Sequence, residues 1–160
     1  MEITMAIFLK LDKAKGSATD AKFKDQIALQ SFQWGAGVGV SNAHAGDRTT
    51  STPSVSEIVV TKQTDKSSEL LFKSLLKGES LGKGTISFAA ATKGEAVAYA
   101  TIDIEEVIVS GFSLSSGGEP PVESVSLNFI KFDWSFTGRD EKQGGSATHL
   151  IYDISTNTVG

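Results

Sequence analysis

The chain has 160 residues, is 39% hydrophobic and 21% charged, and carries a net charge of −4, sixteen glycines, three prolines and no cysteine. This length suits one domain with a sizeable core, and the absent cysteine excludes disulfides, cysteine-ligated metals and cysteine nucleophiles. The mildly acidic balance, with no Lys/Arg cluster, argues against a nucleic-acid surface, and no stretch reaches the ~18 apolar residues expected of a membrane span.

The N-terminal stretch "MEITMAIFLKLDK" lacks the basic n-region of a secretory leader. Its Ile3, Met5, Ile7, Leu9 and Leu11 alternate with more polar neighbours, which predicts a strand over about 3–11. A polar loop, "KAKGSATDAKFKD", leads to a second strand near 26–38. That strand slips: Ile27 and Leu29 are apolar at odd positions, Phe32 and Trp34 at even ones. Side chains alternate faces with period two, so the slip moves the apolar side to the other face. Residues 39–54 show no apolar periodicity and predict a long loop, of the kind that is either mobile or used for contacts. "VSEIVVTKQ" predicts strand three.

The period then changes. Leu71, Phe72, Leu75 and Leu76 predict one buried helix face over about 66–77, with Asp65 or Ser67 capping its start and Gly78 its end. Strands resume at about 84–91, 95–103, 105–115 and 122–136, the last two joined through "SSGGEPPVE" as a long hairpin. The final strand of these slips too. Val125, Leu127 and Phe129 are odd, whereas Ile130, Phe132, Trp134 and Phe136 are even. Residues 137–147 form a polar linker, and 148–156 a last strand. One helix among seven or eight strands predicts an all-β fold, a small closed or split β-barrel in a single domain over 1–160. The two slips predict bulges or sharply coiled strands of the kind a barrel's corners require.

Candidate chemistry is sparse. "GAGVGV" (35–40) lacks the spacing of a dinucleotide-binding turn and opens no helix. "GESLGKGT" (78–85) has a helix before it where a phosphate-binding loop needs a strand. His44 and His149 have no second ligand at metal spacing. No serine sits in a nucleophile elbow, and Glu105 and Glu106 point to opposite faces of a strand. These readings predict no enzyme, cofactor or metal. What they leave unexplained is apolar surplus on strands. Either bulges return it to one barrel interior, or part of it packs on another copy of the chain.

The order of segments resembles the haemolysin-coregulated protein (Hcp) family, the tube protein of bacterial type VI secretion. The likeness covers nearly the whole chain and is most specific in "TKQTDKSS" before the helix and in "ESVSLNF" after the hairpin; "FQWG" at 32–35 and "LIYDISTN" near the end also fit. Departures are Gly16, Ser17 and Ala18, where members commonly read Gly-Glu-Ser, Tyr152 in place of a frequent Trp, and the nearly uncharged "ISFAAATKG".

The resemblance implies a barrel with one flanking helix, closing as a homohexameric ring that stacks into a hollow tube. It also implies synthesis in the cytoplasm and export by type VI secretion without a cleaved signal peptide, with effectors, spike and sheath proteins as partners. It places Gln33 in the lumen against effectors. It assigns contacts between subunits and rings to the loop bearing Val40, Ser41, Asn42, His44, Gly46, Asp47 and Arg48. Two alternatives stay open: a monomeric barrel binding a small ligand, and a hydrolase with a dispersed site. Phe32, Trp34, Phe112, Phe129, Phe132 and Trp134 would fill a small barrel, which weighs against a ligand cavity.

Overall fold

At Gln30, and again at Phe129 and Ile130, the chain stops pairing in one sheet and begins pairing in another. The computed structural model describes residues 4–41, 48–91, 94–138 and 147–160. In its first half the strands are β1 (Thr4–Leu11), β2 (Ile27–Leu29), β3 (Ser31–Gln33), β4 (Ala36–Gly37), β5 (Ser54–Val55) and β6 (Ile58–Gln63). A helix, α1 (Ser68–Lys77), follows β6. Then come β7 (Gly84–Ala91), β8 (Ala96–Glu105), β9 (Ile108–Ser115), β10 (Val122–Asn128), β11 (Lys131–Phe136), β12 (Thr148–Asp153) and β13 (Thr158–Val159). A seven-stranded sheet has the order β13-β12-β11-β8-β7-β1-β2, a four-stranded sheet the order β3-β6-β10-β9, and β4 pairs with β5.

The two slips in the sequence are these crossings. β2 lies on β1, with Leu29 opposite Ile7; past Gln30, β3 lies on β6, with Phe32 opposite Val60. Likewise β10 lies between β6 and β9, and past Ile130, β11 lies between β8 and β12. The crossing residues are held by the new neighbour: the Gln30 N–H donates to Thr61 O at 2.7 Å, and the Ile130 N–H to Glu105 O at 3.1 Å. A strand that changes sheets must switch faces to keep its apolar side toward the same interior, and one extra residue does this. Leu127 and Phe129 are buried before the crossing and Phe132 after it, while Ile130 is left exposed.

Neighbours followed from β1 through β2/β3, β6, β10/β11, β8 and β7 return to β1, so two sheets share two long strands as a split barrel. Among the described residues, with each crossing pair counted once and the two-residue β4, β5 and β13 set aside, eight strands remain, within the seven or eight expected. The expected strand over 26–38 is divided into β2, β3 and β4, because its register changes at Gln30 and its end leaves the barrel.

The main core is Leu9, Ile27, Ile58, Val60, Ile86, Ile104 and Leu127 with their neighbours. A smaller cluster lies on the other side of β1, where Phe8 stacks on Phe23 with centroids 4.4 Å apart. β1 therefore buries both faces over part of its length.

The helix faces differ from the expectation. Ser68, Leu71 and Ser74 are buried, Leu75 packs partly on the core, and Phe72 and Leu76 are exposed at 44% and 68%. Helical periodicity allows either apolar shoulder to face in; the choice follows from the serines. The Ser74 hydroxyl donates to Glu79 O at 2.7 Å, and that of Ser68 to Glu123 at 2.6 Å, so their face docks closely with its polar groups satisfied. Of the two predicted caps, Ser67 occupies the N-cap position and Asp65 accepts its backbone N–H at 2.8 Å. Gly78 ends the helix at φ 65°, the left-handed conformation a glycine adopts without strain.

Candidate functional site

The two most distinctive stretches of the sequence meet inside the molecule. Lys62, from "TKQTDKSS", lies opposite Glu123, from "ESVSLNF", across β6 and β10, and both side chains are fully buried. The Lys62 ammonium donates to Glu123 at 2.7 Å and to Ser68 at 3.1 Å, and lies 3.1 Å from Asp65. Ser68 in turn donates to the other Glu123 oxygen, and its own oxygen accepts the Asp65 N–H at 3.0 Å. Buried opposite charges survive desolvation only when paired and fully hydrogen-bonded. This network meets that condition, and it joins β6, the helix start and β10. Its Lys62–Glu123 centre is sealed from solvent, with Asp65 at the edge, so its role is to fix the helix on the sheet. Sequence reasoning missed the contact, although parity carried a signal. Lys62 shares the inward register of Ile58 and Val60, and Glu123 that of Val125 and Leu127.

Gln33 is exposed, between Phe32 and Trp34, which both pack against the core. It lies opposite Val59, and Ser31 lies opposite Thr61 with the hydroxyls 2.6 Å apart. Along the same end of the barrel the chain makes an exposed two-stranded arm. Its rungs are Ala36 with Val55, Gly37 with Ser54, and Val40 with Thr50. The Ser41 N–H donates to Thr49 O at 3.0 Å, and the Ser51 hydroxyl accepts the Gly39 N–H at 2.9 Å. The arm is thus laddered where the sequence suggested an irregular loop, because backbone and hydroxyl bonds hold it without apolar periodicity. Val40, Ser41 and Arg48 flank its tip; Asn42, His44, Gly46 and Asp47 lie outside the described residues. At its base the Trp34 indole donates to Ser56 O at 3.1 Å, and an open concavity of about 800 Å³ runs from Gln33 and Trp34 to Ser54 and Glu57.

The interior apolar face does not end where the barrel ends. Phe132, Trp134 and Phe136 share one side of β11; Phe132 is buried, but Trp134 and Phe136 are 48% and 51% exposed. Leu150, opposite Trp134 on β12, is exposed as well. Trp34 meets Phe132 edge-on at 4.7 Å and Trp134 at 6.1 Å, so this aromatic shelf is continuous with the core. A second exposed apolar strip lies beside edge strand β9, where Phe72 packs 5.1 Å from Phe112 near Leu114.

Groups with catalytic chemistry are arranged differently. His149 Nδ1 lies 3.0 Å from Asp133, and Ser135 lies opposite His149, but the Ser135 hydroxyl is bonded to Thr101 at 2.6 Å. The three sit on an outward sheet face with His149 half-exposed. Glu105 is paired with Lys83 at 3.7 Å, and Glu106 occupies the turn into β9 at φ 53°.

Comparison with known proteins bears on these surfaces. Residues 8–136 match the family model described as "Type VI secretion system effector, Hcp". Among solved structures, Hcp1 from Salmonella typhimurium is similar at 24% identity, with 98% of this chain and 99% of that chain covered and a TM-score of 0.78. A type six secretion system protein is similar at 24% identity, with 98% and 100% covered and a TM-score of 0.87. A type VI secretion system effector from Yersinia pestis is similar at 21% identity, with 92% and 99% covered and a TM-score of 0.72. At such identities these structures establish the fold, and the family match over most of the chain establishes more. No curated protein matches. The chain belongs to the Hcp family of type VI secretion proteins.

Proposed function

We propose that this chain, folded as one domain, is a tube subunit: six copies close into a ring, and rings stack head-to-tail into a hollow conduit that is exported with its cargo. The observation that carries the reading is the aromatic shelf of Trp134, Phe136 and Leu150, an uncovered continuation of the core. Lasting interfaces resemble a core cut in half, and a closed ring needs one patch to meet a different patch on the next copy. The shelf supplies one such patch. The polar arm bearing Val40, Ser41 and Arg48 suits the weaker contact between stacked rings, which must form and then come apart.

In this reading Gln33 faces the lumen, where weak contacts repeated around the ring add by proximity. Effectors occupy the conduit, while a spike at its tip and a surrounding sheath complete the machine. The chain acts without catalysis and leaves the cytoplasm through the type VI machine. The interior is filled by Leu9, Ile58, Ile104, Leu127 and Phe129, which favours this role over that of a ligand-binding barrel.

Negative-stain electron microscopy of the purified protein tests the proposal. Rings with a stain-filled centre are the expected image; single small particles at every concentration would overturn it. Gln33→Arg is expected to leave rings intact while weakening effector retention in a pull-down. Loss of rings in that variant would move Gln33 from the lumen to an interface.

A further inference from the structure

The outward face of the four-stranded sheet has an unusual composition. Register puts Ser31, Thr61, Ser124 and Ser113 in one row across β3, β6, β10 and β9. The next row is Gln33, Val59, Ser126 and Gly111. Residues directly opposite one another share a face, so these rows pave one continuous surface with hydroxyls, an amide and small side chains. The chain has 15 basic and 19 acidic residues, and none stands in either row. The matching row of the seven-stranded sheet reads Lys10, Thr85, Asp103 and Asp133. The charges that β6 and β10 do carry, Lys62 and Glu123, are turned inward, where they neutralise each other. Glu57, two residues before Val59, is an exposed carboxylate bordering these rows, and it accepts from the Ser110 hydroxyl at 2.6 Å and the Asn128 amide at 3.3 Å.

In a ring, any charge on a lumen face recurs in every copy, and low-dielectric walls focus the summed field. Two rows without charge, bordered by a Glu57 carboxylate that already accepts two hydrogen bonds, keep that field weak. Serine and threonine hydroxyls both donate and accept, so such a face meets either kind of hydrogen-bonding group. We propose that this face holds exported protein through its uncharged polar surface, by side-chain amides, hydroxyls and backbone amides, and does not select cargo by charge. This rests on the lumen reading of Gln33 given above.

The chain has no cysteine, so a single Ser113→Cys gives a clean reporter. Its modification by cationic, anionic and neutral methanethiosulfonates is measured, each rate normalised to that of free 2-mercaptoethanol. The normalised cation-to-anion ratio is expected to stay within about twofold of one at both about 0.01 M and about 1 M salt. A preference of about tenfold or more for either sign at low salt would overturn the inference. Adding Ser124→Lys or Ser124→Glu should move the ratio in opposite directions, which verifies the reporter.

Binding is read by fluorescence anisotropy with a Ser/Asn/Gln-rich peptide and its Lys- and Glu-substituted versions. The neutral peptide is expected to bind at least as tightly as either charged one, with little salt dependence. A charged peptide binding about tenfold tighter, or no peptide binding to assembled rings, would count against it. Light scattering on the same samples separates the two readings. Rings that favour a charged peptide sink this inference alone, whereas a monomer sinks the tube reading.

Discussion

Lys62 and Glu123 illustrate how a pair of residues sets the architecture around it. Each is fully buried, and Asp65 and Ser68 complete their hydrogen bonding. Removing one member of a buried pair leaves the other uncompensated, at a cost of about 3–5 kcal/mol, whereas replacing both with apolar residues of similar volume is far milder. Lys62→Met is therefore expected to lower the urea-unfolding free energy by about that amount, and Lys62→Met with Glu123→Leu to recover much of it. A double variant as unstable as the single would show that the helix start, not the charge pair, bears the load. The sequence made both stretches conspicuous, but it did not reveal that they touch, since antiparallel pairing brings together residues 61 positions apart. Their parity was legible: a charge in an inward register needs a partner in the opposite strand.

At the scale of elements, the facing slips were the most legible feature, because they are written directly in the order of apolar residues; the sequence suggested bulges or sharply coiled strands, and the structure makes them crossings between two sheets. Gln30 and Ile130 stand at those slips. The helix was legible in place and in its Gly78 end, whereas Ser67 makes no side-chain capping bond and the orientation was not legible, since two overlapping apolar stripes compete and serine hydroxyls decide between them. This yields a paired prediction. Leu71→Ala should destabilise by about 2–5 kcal/mol, as expected for a buried leucine, whereas Leu76→Ala should stay within about 0.5 kcal/mol of the parent. Thermal melts of the two variants check it, and equal losses would reverse the helix orientation. The pairing of 39–41 with 49–51 was not legible, because hydroxyl-to-backbone bonds leave no hydrophobic period to read.

At the scale of the whole molecule, the expectation of surplus apolar side chains divides in two. Much of the surplus, Phe129 and Phe132 among it, returns to the one barrel interior through the crossings. The remainder, Trp134, Phe136 and Leu150, stays half in solvent on a shelf joined to that interior. Exposed aromatics contiguous with a core are costly in water and stabilising when covered, since each buries about 150–250 Å² when enclosed. The tube reading assigns their cover to the neighbouring copy. The most direct measurement is the solution mass, by size-exclusion chromatography with light scattering, of the parent chain beside a Trp134→Glu, Phe136→Ser variant. The account predicts a sixfold mass for the parent and a folded monomer for the variant. A monomeric parent at high concentration, or a variant that still forms the full ring, would contradict it.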